Sequence, residues 1–144
     1  KVVRNGGETV HTFIKNVRET INTLDTNEPS QLSIATHLSN SLDALETAVA
    51  WMVETFPKQP GQAAAGATSF LEMMGLISGG WMLARGVIEA NIQLKSEQGD
   101  TNFLNSKIKT AQYFAHAHLS RTPSLLYPIT GCGDCVMEFE ASNF

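Results

Sequence analysis

A chain of 144 residues with 42% hydrophobic residues is large enough to fold around one sizeable core without disulfides or metals. Its formal net charge of −4 and the lack of any basic run argue against nucleic acid or an anionic membrane surface as a partner. Two cysteines are too few for the disulfide framework of a small secreted protein, so a reducing, cytoplasmic location is predicted.

Amphipathic periodicity predicts the first two helices. Apolar side chains at steps of three and four predict a helix from Glu8 to Leu24. After a polar break, Asn27 or Ser30 can cap a long second helix, because Pro29 is tolerated in a first turn. Pro57 should end this helix. Its apolar positions, which form nearly a coiled-coil seam, are Leu32, Ala35, Leu38, Leu42, Leu45, Val49, Met52 and Phe56.

The stretch from Phe70 to Leu94 organises the rest of the chain. It carries no charge between Glu72 and Arg85, and its apolar residues follow the helical period in two adjacent rows. This wide apolar surface predicts a central helix, from about Gln62 to Leu94, that is packed on several sides. A membrane span is the alternative, but Glu72 near the midpoint of the segment argues against one.

Four glycines interrupt this predicted helix. Each lowers helix propensity by about 1 kcal/mol relative to alanine. Their presence therefore predicts close backbone approach by a neighbouring element, which a larger side chain would prevent. They are Gly75, Gly79, Gly80 and Gly86.

Two further helices are predicted in the last third of the chain. The first is capped by Asp100 or Thr101. Thr122 and Pro123 are typical of the cap and first residue of a final helix, which Pro128 should kink. No segment alternates with period two. The predicted fold is therefore all-α, an up-and-down four-helix bundle with an additional kinked C-terminal helix.

The motif Cys132-Gly-Asp-Cys135 is the most suggestive one for chemistry. A CxxC pair beside a βαβ pattern would indicate thioredoxin-like redox activity, but no βαβ pattern is present. A zinc site needs further ligands, and the chain has no other cysteine. Cys132 falls on the apolar stripe of the last helix, where a free cysteine packs as a small hydrophobe. A structural role is favoured, and redox and metal-binding roles are the alternatives.

The remaining polar residues predict no catalytic or metal site. Glu8 and His11 have the Glu-x-x-His spacing of di-iron bundles, but the second copy that such sites need does not occur. His116 and His118 point in nearly opposite directions on a helix and cannot share a ligand. His37 is expected on a helix surface. We therefore predict no catalytic, cofactor-binding or metal-binding residue in this chain.

Several runs of residues are similar to a known family. FLEMMGLISGGWMLAR, at residues 70–85, resembles the signature helix of the C-terminal domain appended to a large subgroup of acyl-CoA dehydrogenases. KIKTAQYFA, at residues 107–115, is similar to the next helix of that domain, and so is a terminal helix with a glycine near Gly131 and a final phenylalanine. The opening KVVRNGG, which has no methionine, resembles the junction with the catalytic body. We therefore expect residues 1–144 to be a single domain excised from a longer protein.

The resemblance implies a division of labour within such an enzyme. Full-length members are flavoproteins of fatty acid metabolism, oxidoreductases that use FAD to remove two hydrogens across the α,β carbons of an acyl-CoA thioester. The catalytic base, the FAD site and most of the CoA site belong to the preceding domains, so no catalytic residue is carried onto this chain. The domain would pack on the catalytic body of the parent chain or on a partner subunit.

Trp81 and Arg85 are the candidate contact residues, because a large ring and a cation beside glycines suit an interface. The plainer interpretation, that Trp81 belongs to the core and Arg85 is a surface charge, is favoured over this hypothesis. Two other functions stay open. One is a free-standing helical interaction or dimerisation module, which would form a homo-oligomer. The other is a thiol-redox bundle that uses Cys132 and Cys135, residues that depart from the small side chains expected there.

Overall fold

Helices make up almost the whole molecule. The computed structural model describes residues 2, 3, 5–140 and 142, and none of these residues is in a strand. In chain order the helices are α1 (Glu8–Asn22), α2 (Pro29–Thr55), α3 (Pro60–Ala65), α4 (Ala67–Lys95), α5 (Thr101–Ala117), a 3-10 helix (Leu119–Leu125), α6 (Leu126–Thr130) and α7 (Gly133–Met137). The prediction of an all-α bundle is confirmed. The predicted junction and final phenylalanine fall partly on residues 1, 4, 141, 143 and 144, which lie outside the described residues.

The pair α2 and α4 forms the centre of the bundle. Both helices contact α1 and α5, whereas α1 and α5 do not touch each other in the described part of the chain. Because α4 also contacts α3, the 3-10 helix and α6, the predicted central helix packed on several sides is confirmed. None of the described helices, α4 included, is both long and apolar enough to cross a membrane.

The core meets α4 midway between the two predicted apolar rows. The buried positions of α4 recur at steps of three and four. They are Phe70, Met73, Ile77, Gly80, Ala84, Val87 and Ala90. Phe70, Ile77 and Ala84 belong to one predicted row, and the other buried residues belong to the second. On α2 the predicted seam is buried from Ala35 to Met52, but Leu32 and Phe56, near the two ends of the helix, are exposed.

A break at Gly66 divides the predicted central helix. The prediction of one helix from Gln62 to Leu94 is wrong, because α3 ends before Gly66 and α4 begins after it. A Cβ atom on Gly66 would lie 2.6 Å from the carbonyl oxygen of Ile129 and 2.9 Å from its Cα atom. The backbone of α6 therefore packs directly against this break, and no side chain fits between them.

The glycines within α4 fall into two groups, those with a close neighbour and those without one. A Cβ atom on Gly79 would lie 3.1 Å from the ring of Phe114, and one on Gly80 would lie 2.7 Å from the side chain of Leu119. Close approach is therefore present at these two positions, although side chains rather than backbone make it. The prediction is wrong for the other two glycines, whose added Cβ atoms would meet nothing within 4 Å. These are Gly75 and Gly86.

The C-terminal segment consists of short pieces. Thr122 and Pro123 lie inside the 3-10 helix, so the prediction that they begin a final helix is wrong. Pro128 sits in the first turn of α6, a position at which proline is tolerated. The helical path breaks instead at Gly131 and Cys132, between α6 and α7.

Candidate interface around Trp81 and Arg85

Trp81 and Arg85 lie one helical turn apart on α4. Residues four apart are neighbours on a helix surface, so their side chains can meet. The guanidinium carbon of Arg85 lies 5.7 Å from the centroid of the Trp81 ring, which is the geometry of a cation–π contact. The structure therefore brings the two predicted contact residues together.

The ring of Trp81 is held by two residues of α1. Its Nε1–H group donates a hydrogen bond of 2.7 Å to Oγ1 of Thr20. The ring of Phe13 meets it edge-on, with a centroid distance of 5.5 Å and an interplanar angle of 90°. The polar tip of this half-buried side chain is thus satisfied within the chain. Sequence analysis missed Thr20 and Phe13 because α1 and α4 are distant in sequence, 61 residues apart for Thr20 and Trp81.

Arg85 differs in its partners from the arginine of α1. Arg18 lies 2.9 Å from a carboxylate oxygen of Asp43 and 3.0 Å from one of Glu46, both on α2. The hydrogen bond to Asp43 is the main cause that raises the pKa of Arg18 above its ordinary value. Arg85 is exposed, and no carboxylate in the described part of the chain forms an ion pair with it. Its charge is therefore available to a partner.

A groove of about 750 Å³ opens between α1 and α4 beside this pair. Trp81 and Ile88 contribute its apolar surface, and Glu19, Arg85 and Glu89 contribute charges. Because two carboxylates oppose one guanidinium, the groove repels polyanions such as a nucleotide diphosphate. Its mixed apolar and charged surface suits contact with another protein surface better than it suits such a ligand.

A second groove, of about 300 Å³, lies on the other side of α4, against α5. Met82 and Glu89 border both grooves, and Gly86, Phe103 and Lys107 are among the other residues that line the second one. The ring of Phe103 is 57% exposed, and the ammonium group of Lys107 lies 5.1 Å from its centroid. Sequence analysis missed this apolar surface. The signal available in the sequence was that Phe103 does not lie on the helix face that α5 buries.

The two cysteines lie far from both grooves in the fold, on the last helix. Both are free thiols; Cys132 is half-buried at the N-cap of α7, and Cys135 is exposed. Val136, which continues the predicted apolar stripe, is also exposed. The predicted packing of Cys132 as a small hydrophobe therefore applies to part of its surface only.

Three histidines lie where α2, α5 and the 3-10 helix meet. His116 hydrogen-bonds through Nε2 to the hydroxyl of Ser33 at 2.8 Å, and its ring centroid lies 5.2 Å from that of His37. His37 is partly buried rather than fully on the surface, and this burial, followed by the charge of His116, lowers the pKa of His37. His118 points elsewhere and packs on the ring of Phe114.

Glu8 and His11, which have the Glu-x-x-His spacing of a metal site, are both exposed on α1. Within the ranges that the structure describes, no group of three or more His, Cys, Asp or Glu side chains is positioned to hold a metal ion. The exposed charges and rings around α4 are therefore the features on which a functional argument can be based.

These features define an all-α bundle whose central helix presents apolar and charged side chains to the outside. Residues 13–140 match the family described as "Acetyl-CoA dehydrogenase C-terminal like", and the chain belongs to that family. The predicted resemblance is confirmed. Over 137 residues the chain is 30% identical to a 3-methylmercaptopropionyl-CoA dehydrogenase from Ruegeria pomeroyi. The aligned part covers 95% of this chain and 23% of that protein.

Proposed function

We propose that this chain is a non-catalytic helical accessory domain of an FAD-dependent acyl-CoA dehydrogenase. The match of residues 13–140 to the family of C-terminal domains carries the proposal. The similar dehydrogenase from Ruegeria pomeroyi is much longer than the chain, which spans 23% of its length. In this proposal residues 1–144 are one domain of a cytoplasmic protein, and the rest of the polypeptide binds FAD and dehydrogenates the α,β carbons of an acyl-CoA.

The charges of the groove between α1 and α4 support this division of labour. FAD and coenzyme A both carry phosphates, which need cationic or N–H donors around them. Arg85 is the only cation that lines the groove, and Glu19 and Glu89 place two negative charges against it. Its residues therefore do not fit either group, and no step of the reaction is assigned to them.

The contact with the catalytic body is proposed to involve Trp81 and Arg85. Arg85 has no ion pair within the described residues, so a carboxylate of the body can pair with it without displacing an internal partner. The Trp81 ring behind the guanidinium is fixed by Thr20 and so needs little ordering when the surfaces meet. Arginine and tryptophan are the residue types that contribute most to protein interfaces.

Separating the two parts of the parent protein tests the proposed division. The catalytic body and the chain of residues 1–144 are produced individually, and flavin absorbance and acyl-CoA-dependent reduction of an electron acceptor are measured for each. We expect flavin and activity in the body and neither in the chain. A yellow preparation of the isolated chain, or dehydrogenation by it, would overturn the proposal.

A charge reversal tests the proposed contact. Arg85→Glu should weaken binding of the chain to the separately produced body by about 1–2 kcal/mol, roughly tenfold in dissociation constant. Lys109→Glu is the matched control, because Lys109 is an exposed cation on α5, which does not contact α1. If both variants bind the body equally well, Arg85 is not in the contact. A stable dimer of the chain without the body would favour the homo-oligomer instead.

A further inference from the structure

The spacing of Cys132 and Cys135 allows their thiols to react with each other. Cys132 is the N-cap of α7, and Cys135 is the third residue of that helix. In helical geometry the Cα atoms of residues three apart are about 5 Å apart. This separation lies within the range of about 4.4–6.8 Å that disulfides span.

The backbone around Cys132 can supply the closer approach that the two Cβ atoms need. Cys132 lies just outside the helix, between Gly131 and Gly133, neither of which has a side chain that would oppose rotation of the Cys132 side chain. Residue Gly133 itself is fixed, since a Cβ atom on it would lie 3.0 Å from Cβ of Gln62 in α3. The Gln62 amide also donates a hydrogen bond to the Asp134 carboxylate. Both contacts keep the start of α7 in place while the two thiols approach each other.

The two sulfur atoms differ in access. Cys135 is exposed, whereas Cys132 is half-buried. An external reagent therefore reacts with Cys135 first. Cys132 is the neighbouring thiol that can then release the reagent from the Cys135 sulfur. No third cysteine exists in the chain to compete for either sulfur.

We propose that Cys132 and Cys135 form a reversible dithiol–disulfide site for small disulfides. The thiolate of Cys135 attacks one sulfur of the small disulfide, whose S–S bond breaks and releases one small thiolate. The thiolate of Cys132 then attacks the Cys135 sulfur of this mixed disulfide and releases the second small thiolate. Overall the protein pair loses two protons and two electrons, and one small disulfide is reduced to two thiols. This site is independent of the proposed packing on a catalytic body.

Charge near the site selects the kind of small disulfide. Asp134 lies between the cysteines and Glu138 follows α7, while α7 and the two helices that contact it, α3 and α6, contain no basic residue. Carboxylates repel an anionic disulfide and have no such effect on a neutral one. A neutral disulfide should therefore react faster than an anionic one at equal concentration, once each rate is divided by the rate of the same reagent with free cysteine to remove the difference between the leaving thiols.

The reaction is followed by intact mass after acid quenching of the chain of residues 1–144. The reduced chain is incubated with excess bis(2-hydroxyethyl) disulfide, a neutral reagent, and in parallel with oxidised glutathione, an anionic one. We expect the wild-type mass to fall by two hydrogen atoms with no lasting adduct, and faster with the neutral reagent. Excess 2-mercaptoethanol should restore the reduced mass.

Two serine variants assign the order of attack. Cys132→Ser should accumulate a single adduct on Cys135, because the resolving thiol is absent. Cys135→Ser should form its adduct several-fold more slowly, since the remaining thiol is half-buried. Circular dichroism checks that both variants are folded, and Cys132→Ala replaces Cys132→Ser if that variant is not.

Several results would overturn the site. A wild-type chain that stays fully reduced, carries two adducts, or links to a second chain shows that the thiols do not pair. Equal rates for the two serine variants would contradict the assigned order of attack. An anionic disulfide that still reacts faster than the neutral one after each rate is divided by that reagent's rate with free cysteine would contradict the assigned substrate class.

Discussion

The indole of Trp81 donates its hydrogen bond to a residue of another helix, and the contribution of that bond can be measured. Thr20→Val keeps the shape of the side chain and removes the oxygen that accepts from Nε1 of Trp81 at 2.7 Å. We expect the free energy of unfolding in urea to fall by about 1 kcal/mol, because a half-buried donor loses its partner. Thr12→Val is the matched control, since the exposed Thr12 hydroxyl donates only to the carbonyl of Glu8 in its own helix. Equal losses in the two variants would show that the hydrogen bond from Trp81 to Thr20 contributes nothing to stability.

Two glycines, one at the break before α4 and one within α4, should respond in opposite directions to alanine. Gly66 has an ordinary φ of −80°, but an added Cβ would lie 2.6 Å from a backbone oxygen of Ile129. Gly66→Ala should therefore lower the free energy of unfolding by about 1–3 kcal/mol through overpacking. Gly86→Ala meets no atom within 4 Å and should raise it by about 0.5–1 kcal/mol through helix propensity. Urea denaturation of both variants is the measurement, and changes of the same sign would contradict the assigned close contact.

At the scale of the element, α5 begins where its cap dictates. The carboxylate of Asp100 accepts hydrogen bonds from the backbone N–H groups of Asn102 and Phe103, at 2.8 Å and 3.3 Å. Asp100→Ala should lower the free energy of unfolding by about 1 kcal/mol, because these N–H groups lose their acceptor. Asp100→Asn keeps an acceptor oxygen and should lose much less. If the two variants unfold alike, the cap does not stabilise α5.

Local signals in the sequence predict most of the helix ends. Pro29 lies in the first turn of α2, Asp100 caps α5, and α1 begins at Glu8, all within the predicted positions. These features depend on neighbours within a few residues, so the sequence contains the whole cause. The closeness of Trp81 and Arg85 belongs to the same group, because the helical period alone brings residues four apart together.

Packing between distant elements decides what the sequence did not predict. Gly66 breaks the central helix because α6 approaches its backbone at Ile129, a contact that no local pattern contains. Threonine is a common helix-capping residue, yet Thr122 is fully buried within the 3-10 helix, and its hydroxyl has no hydrogen-bond partner among the described residues. Tertiary burial therefore overrides the capping preference. The grooves beside α4 likewise depend on how α1 and α5 pack against it. The sequence therefore predicted only Trp81 and Arg85 among the residues that line them.

At the scale of the whole molecule, the outer side of α4 differs from that of α2. Helix α4 exposes three large apolar side chains, Leu71, Met82 and Ile92, together with charged ones that include Arg85. The outer side of α2 carries Asp43 and Glu46, which pair with Arg18. An exposed apolar surface beside an unpaired cation is typical of a protein–protein contact, whereas internally paired charges are typical of a solvated face. This asymmetry is the reason that the proposed contact is placed on the side of Trp81 and Arg85.

The contact between His37 of α2 and His116 of α5 should make the stability of the whole bundle depend on pH. Burial, and secondly the charge of His116, lower the pKa of His37 below its ordinary value of 6.5. Protons therefore bind His37 more readily in the unfolded chain than in the folded one. The stability that neutral His37 contributes is present above about pH 6.5 and is lost as pH falls through that value toward the lower folded pKa.

Replacing His37 removes this proton-linked part of the free energy of unfolding. Urea denaturation between about pH 5 and pH 8 should show that the wild type loses stability toward acid more steeply than His37→Gln, because the glutamine does not titrate. The difference between the two proteins should be flat above pH 7 and shift in favour of the variant as the pH falls. Parallel curves over the whole range would mean that His37 has the same proton affinity in the folded and the unfolded chain. The contact with His116 would then have no effect on how the stability depends on pH.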